Sequence, residues 1–337
     1  MTIPSELILN IFGKLDEHTK AIEKAFKVSI INRNDTIQIV PTGPGANPES
    51  ARQVLEHLVS LAKRKESISI QQVNYAIASL IEVSGEKTPL EEVEALTGDT
   101  ICNTISGRPI KPKTMGQKKY LEQIRNNTIV FAIGPAGTGK TYLAMAMAIT
   151  AFRLGEVNKI ILTRPAIEAG EKLGFLPGDL QQKVDPYLRP LYDALNDIMG
   201  TETFQKNFER GLIEVAPLAY MRGRTLDNSF IVLDEAQNTT PEQMKMFLTR
   251  LGNNSKAVIT GDITQIDLPF GQRSGLTDAT KILKEIPDIG ISTLTAKDVV
   301  RHPLVQKIIN AYDKSTAREA YKEKRRLTYT KQPTKQF

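Results

Sequence analysis

The chain has 337 residues, 40% of them hydrophobic and 24% charged, with a formal net charge of +6. That mix excludes a disordered chain, a collagen-like repeat and a membrane-embedded bundle, and the length points to two domains. Cys102 is the only cysteine, which excludes an intrachain disulfide and a Cys-based zinc site.

The longest apolar stretch, Tyr142 to Phe152, is about half of the ~20 residues that a membrane span needs. Glu6 and Asp16 near the start are unlike a secretory leader. The expectation is a cytoplasmic protein with no membrane contact. The pI near 9.1 suggests nucleic acid, but the surplus is uneven. Between Asp313 and Phe337 eight bases face three acids, so the rest is close to neutral and net charge alone does not mark a polyanion binder.

In chain order, Val28 to Asn32 and Thr36 to Val40 are β-rich runs around Arg33-Asn34-Asp35, the pattern of a hairpin. A Pro/Gly loop leads to Asn47, placed to cap a helix with Pro48 at its first position. Ala51, Val54, Leu55, Leu58 and Ala62 give that helix one apolar face. Val73, Ile77, Leu80 and Ile81 mark a second helix, and Thr88-Pro89-Leu90-Glu91 reads as the capping box of a short third. Residues 1–100 therefore read as a small α+β domain. Residues 101–113, with Gly107, Pro109 and Pro112 and no helical periodicity, read as a linker. A main domain over 114–313 and a basic tail over 314–337 follow.

In the main domain, apolar strands are expected near Thr128 to Ile133, Lys159 to Thr163, Ile213 to Ala216, Phe230 to Leu233, Ala257 to Thr260 and Ile291 to Leu294. Helical or loop stretches separate them. Strands alternating with helices predict an α/β fold, a parallel sheet with helices on both faces.

Gly134-Pro135-Ala136-Gly137-Thr138-Gly139-Lys140-Thr141 matches G-x-x-x-x-G-K-[ST] between an expected strand and an expected helix. Glycines let such a loop curl its N–H groups around a phosphate chain, and the helix N-terminus adds its positive dipole end. Lys140 would reach the β- and γ-phosphates of a nucleotide, and the Thr141 hydroxyl would ligate Mg²⁺. Phe230 to Glu235 is an apolar strand ending in two carboxylates. At the carboxyl edge of an α/β sheet, Asp234 can join the Mg²⁺ shell and Glu235 can act as general base on a water in line with the γ-phosphate. Two adjacent acids favour hydrolysis over transfer to a metabolite. Thr260-Gly261-Asp262-Ile263-Thr264-Gln265 is a third motif at a strand end, whose Gln265 can bond the γ-phosphate or merely sit in a solvated Asp/Gly turn.

Arg108 to Thr114 (RPIKPKT), Leu162 to Ala166 (LTRPA), Glu168 to Asp179 (EAGEKLGFLPGD), Val184 to Leu195 (VDPYLRPLYDAL), Tyr220 to Thr225 (YMRGRT), Leu233 to Arg250 (LDEAQNTTPEQMKMFLTR) and Asp298 to Leu304 (DVVRHPL) complete the set. Together these motifs resemble the PhoH family, the phosphate-starvation-inducible P-loop ATPases. The resemblance implies a P-loop NTPase core similar to RecA and to the first motor domain of superfamily 1 helicases. It implies that ATP and Mg²⁺ are bound and that Gln117 reads the adenine edge, although Thr114-x-x-Gln117 is also a capping box. Arg164 would lie against a nucleic-acid backbone or make a salt bridge. Gln237 and Gln265 would couple that surface to the γ-phosphate.

A superfamily 1 motor closes ATP between two such domains, and about 70 residues after Gln265 are too few for a second. The resemblance therefore points to a homo-oligomer, a hexameric ring among the arrangements, in which a neighbour's arginine completes each site. Arg224 and Arg301 are the candidate fingers, with Arg222 beside them. Single-stranded RNA and an endoribonuclease are the implied partners, in RNA metabolism or ribosome maturation. The alternative is a nucleotide-switched scaffold for protein partners without helicase activity. The N-terminal domain could be KH-like, although Gly43-Pro44-Gly45-Ala46 does not supply the G-x-x-G clamp such a module needs. His18, His57 and His302 have no metal spacing.

Overall fold

The computed structural model describes residues 1–33, 36–64, 68–81, 99–165 and 180–300, together with 305 and 308. The capping box at Thr88, the 168–179 motif, Arg301 and the basic tail lie outside the described residues. Met1–Val299 form one compact unit and Val300–Phe337 a second.

The N-terminal part of the first unit is a small α+β arrangement. It runs α1 (Ser5–Phe12), α2 (Glu17–Phe26), β1 (Val28–Arg33), β2 (Thr36–Pro41), α3 (Pro48–Lys63) and α4 (Ile70–Ile81). β1 and β2 pair antiparallel with Arg33 opposite Thr36, and Thr2 adds an antiparallel bridge on Thr36. Asn47 caps α3 by accepting from the Ser50 amide at 3.0 Å, with Pro48 in the first turn. Ile22, Phe26, Leu55, Leu58, Val73 and Ile77 close a core of their own. The sequence reading does not anticipate α1 and α2. They meet at Gly13-Lys14-Leu15-Asp16, where Gly13 has φ +75° and a Cβ would stand 2.8 Å from the His18 ring. His18 is buried, and its Nδ1 lies 3.1 Å from the Ile11 carbonyl oxygen.

Residues 101–113 carry a short hairpin, β3 (Cys102–Asn103) against β4 (Pro109–Ile110). Ile110 is buried among the main-domain apolar residues. Main-chain order then runs α5 (Met115–Asn126), β5 (Ile129–Ile133), α6 (Lys140–Arg153), β6 (Lys159–Arg164), α7 (Leu180–Met199), α8 (Thr201–Glu209), β7 (Ile213–Pro217), β8 (Ser229–Leu233), α9 (Pro241–Leu248), β9 (Lys256–Gly261), α10 (Gly275–Ile282) and β10 (Ile289–Thr293).

The six strands β5 to β10 form one sheet in the order β10-β5-β9-β8-β6-β7, every neighbouring pair parallel. Strand side chains alternate between faces, and both faces here are buried. Val130, Ala132, Ile160, Leu162, Phe230, Val232 and Val258 face α5, α6, α7 and α8. Phe131, Ile161, Ile231, Leu233, Ala257 and Ile259 face α9 and α10. Burial of each Val, Leu, Ile or Phe among them stabilises the sheet by roughly 1.5–3 kcal/mol. The expected α/β P-loop architecture with a small N-terminal α+β part is thus the observed one. Among the described residues no helix is long and apolar enough to cross a membrane.

Candidate functional site

β5 carries the chain into the loop Gly134–Gly139, and α6 starts at Lys140. Gly139 is the N-cap of α6 at φ +81°, a conformation that costs other residues a steric clash. Gly134 is required for space, since a Cβ there would stand 2.5 Å from the Leu294 carbonyl oxygen. Lys140 is buried, and its Nζ donates to the carbonyls of Gly134 (2.6 Å) and Pro135 (2.9 Å). Thr138 Oγ1 also donates to Pro135, at 2.9 Å. Ala136, on the same curl, donates its amide to Asp262 Oδ2 at 3.2 Å.

Gln117 lies against this loop. Its Nε2 donates to the Thr138 carbonyl at 3.0 Å and its Oε1 accepts from the Lys113 amide at 2.7 Å. Half of the anticipated capping box is present: Thr114 Oγ1 accepts from the Gln117 amide at 3.1 Å, while the glutamine side chain takes Lys113 instead of Thr114. Tyr120 is fully buried and donates its hydroxyl to the Lys140 carbonyl at 3.1 Å. Burial, reinforced by Asp234, pushes that hydroxyl well above its ordinary pKa, so it remains a donor.

The two carboxylates at the end of β8 divide their contacts. Asp234 Oδ1 accepts from Thr141 Oγ1 and from Thr260 Oγ1, both at 2.6 Å. Its Oδ2 lies 3.3 Å from Arg164 Nε. Glu235, at φ +52°, places Oε1 2.9 Å from Arg164 Nη2 and accepts at Oε2 from Gln237 Nε2 at 2.6 Å. Gln237 Oε1 in turn accepts from the Asp262 amide at 3.0 Å. Asp262 takes Gln265 Nε2 at 3.0 Å. One hydrogen-bonded chain therefore runs from Arg164 on β6 through Glu235, Gln237 and Asp262 to the loop that begins α6.

Thus Lys140, Thr141, Asp234, Glu235, Gln237, Gln265 and Gln117 are linked in one neighbourhood around the Gly134–Gly139 loop. Arg164 proves to be an ion-pair partner of both carboxylates, with only 8% of its surface exposed. Arg224 is held in a two-pronged pair with Glu214 (2.5 and 2.7 Å), and Arg222 is exposed. Tyr120 lies in none of the motifs, and Thr260 and Asp298 each head a motif without a role assigned to them, yet all three hydrogen-bond to residues of this neighbourhood. Asp298 Oδ1 accepts from Thr114 Oγ1 at 2.5 Å and its Oδ2 from the Thr295 amide at 2.8 Å. The Thr295-x-x-Asp298 capping pattern was the available signal.

Thr141 and Asp234 are the residues that would hold a divalent cation here. A buried carboxylate and a hydroxyl at the first turn of α6 already meet there, and the loop beside them is shaped by glycine. Among the described residues no group of three or more His, Cys, Asp and Glu converges; Mg²⁺ is commonly held by few protein ligands and by substrate phosphates. A separate cavity of about 290 Å³, lined by Leu188, Tyr192, Phe208, Glu214 and Tyr220 among others, shares no residue with this site.

Residues 109–313 match the family model described as PhoH-like protein. A PhoH-like protein of Bacillus subtilis is 53% identical over 306 residues, covering 91% of this chain and 94% of its own. A PhoH-like protein of Mycobacterium tuberculosis is 52% identical over 310 residues, covering 92% and 86%. Protein PhoH of Escherichia coli K12 is 47% identical over 244 residues, covering 72% and 66%. A solved SWI2/SNF2 ATPase core of Sulfolobus solfataricus in complex with double-stranded DNA aligns with 53% of this chain and 43% of its own, at 16% identity and a TM-score of 0.31, too slight a likeness to argue from.

Proposed function

This chain belongs to the PhoH-like protein family and has the fold of a P-loop ATPase, and from that premise we propose that it hydrolyses ATP with Mg²⁺ at the site built on Gly134–Thr141, Asp234 and Glu235. The observation that carries this reading is the meeting of Thr141 and Asp234 at 2.6 Å, with Glu235 the next residue. In it, Gly134 to Gly139 wrap the phosphates. Lys140 leaves the Gly134 and Pro135 carbonyls for β- and γ-phosphate oxygens, and Gln117 lies on the adenine side. Thr141 and Asp234 would hold Mg²⁺, which when bound would draw charge from those oxygens. Glu235 accepts a proton from water as its oxygen bonds to the γ-phosphorus, and the bond to the β-phosphate oxygen breaks to leave ADP. Gln265, anchored on Asp262, responds to the γ-phosphate.

Coupling to single-stranded RNA is the setting we favour. Arg164 ties the base to the end of β6, so an event on that flank reaches the chemistry directly. Oligomerisation with an arginine supplied in trans belongs to the same reading. Arg301 and Arg222 are its candidates, while Arg224 would first have to leave Glu214. The test is ATP turnover by the full chain with and without single-stranded RNA, alongside strand displacement. RNA-stimulated turnover supports an RNA-coupled ATPase. Turnover indifferent to RNA favours the nucleotide-switched scaffold for a protein partner such as an endoribonuclease, and absence of turnover overturns both.

A further inference from the structure

Arg164 neutralises the two acids on which the proposed reaction depends, and it does so from the strand on the far side of β8 from the phosphate loop. The order β5-β9-β8-β6 puts two strands between the loop-bearing β5 and the arginine. Its Nε lies 3.3 Å from Asp234 and its Nη2 2.9 Å from Glu235. The side chains of Arg164 and Asp234 are 10% and 9% exposed. A guanidinium keeps its proton at any physiological pH. A divalent cation on Asp234 would therefore stand beside a permanent positive charge in surroundings that screen poorly. Both cannot keep that carboxylate at full strength.

We propose that Arg164 is a positioning residue that competes with the metal for Asp234, and that a phosphate group drawing Arg164 away is what primes the site. A buried guanidinium deprived of its carboxylates needs another anion, and its planar fork matches phosphate oxygens. Two sources offer that chemistry: the γ-phosphate of the bound nucleotide, and the phosphodiester backbone of single-stranded RNA arriving at the end of β6. Withdrawal also frees Glu235 Oε1 to face water, leaving Gln237 to orient the other oxygen. Because coupling between two ligands is reciprocal, whatever captures Arg164 must tighten metal binding by the same factor by which metal tightens its own capture.

This inference rests on the metal–nucleotide reading above, and Mn²⁺ titrated into the full chain and followed by electron paramagnetic resonance separates the two. With ADP present, Arg164→Ala is expected to bind Mn²⁺ about tenfold more tightly than the parent, within the usual range of coupling between sites, and Arg164→Lys to fall between them. In the parent, ATPγS without RNA should tighten Mn²⁺ by more than free ATPγS exceeds free ADP in chelating it, if the γ-phosphate takes the arginine. A single-stranded RNA oligomer added with ADP should produce it if the backbone does. The parent measurements need no variant and hold even if Arg164→Ala fails to fold. If the parent hydrolyses ATP yet RNA does not tighten Mn²⁺ and ATPγS does so by no more than its own chelation, or if a folded Arg164→Ala binds Mn²⁺ no tighter, the competition is overturned while the ATPase reading stands. If the parent neither turns over ATP nor binds Mn²⁺ with nucleotide, the ATPase reading fails and takes this one with it.

Discussion

Thr141 Oγ1 donates to Asp234 Oδ1 at 2.6 Å across 93 positions of sequence. The bond joins the first turn of α6 to the end of β8, and in the function proposed above the two groups would share one ion. Asp234→Asn keeps the size of the side chain and removes its charge. Phosphate release by this variant at saturating Mg²⁺ should fall by roughly 10²–10³-fold, the scale seen when one charge-stabilising group is removed. Binding of a fluorescent ATP analogue in chelator should be retained. Near-normal turnover would remove Asp234 from the metal site.

Glu235 and Lys140 are separable by what they lose. Glu235→Gln should lower single-turnover phosphate release by about 10²–10⁴-fold, the usual worth of a positioned base, while ATP stays bound. Lys140→Ala should weaken nucleotide binding as well, because the ammonium that now sits on the Gly134 and Pro135 carbonyls is gone. An active Glu235→Gln protein would sink the base assignment.

Gly134 meets backbone, which cannot swing aside. A methyl group there would stand 2.5 Å from the Leu294 carbonyl oxygen, on the segment that follows β10. Gly134→Ala is expected to lower stability by about 1–3 kcal/mol, as overpacking does, and to weaken nucleotide binding with it. Urea denaturation reads the first effect; an unchanged midpoint would contradict the packing described.

Asp99 and Arg125 pair at 2.7 Å, with side-chain exposures of 22% and 40%. The Arg125 hydrogen bond is the main reason the Asp99 carboxyl is held below its ordinary value. Its contribution is therefore present above the unfolded pKa of about 3.9 and is lost as pH falls through the lowered folded value. With solvent screening it amounts to about 0.2–1 kcal/mol. Asp99→Asn should be less stable than the parent by that amount at pH 7, and the gap should close on acidification. A gap that widens in acid would reverse the sign argued here.

The six strands were legible because a strand buried on both faces is an unbroken apolar run, and the expected ends fall within a few residues of those observed. The cap of α3 was legible because Asn47, Ser50 and Pro48 are local to one another. The phosphate loop was legible for the same reason. What local pattern could not supply was the partner of Arg164, whose carboxylates lie about seventy positions away, or the bond from Asp298 to Thr114. α1 and α2 escaped because they are short, 8 and 10 residues, and face a core completed by α3 and α4. For Gln117 the local rule was half right: the backbone end of the capping box forms, but packing against Thr138 turns the side chain elsewhere.

Asp298 holds Thr114 across 184 positions, and β10 lies directly beside β5 in the sheet. A ribosome delivers these partners at opposite ends of the core's synthesis. Until the last strand emerges, β5 has an unpaired edge, and the helix carrying Gln117 lacks the carboxylate at its entrance. A nascent chain therefore cannot finish its phosphate pocket early. The pocket is completed only once nearly the whole sheet is out, so a shortened product ending before β10 would carry every phosphate-binding motif and still lack the frame that supports them.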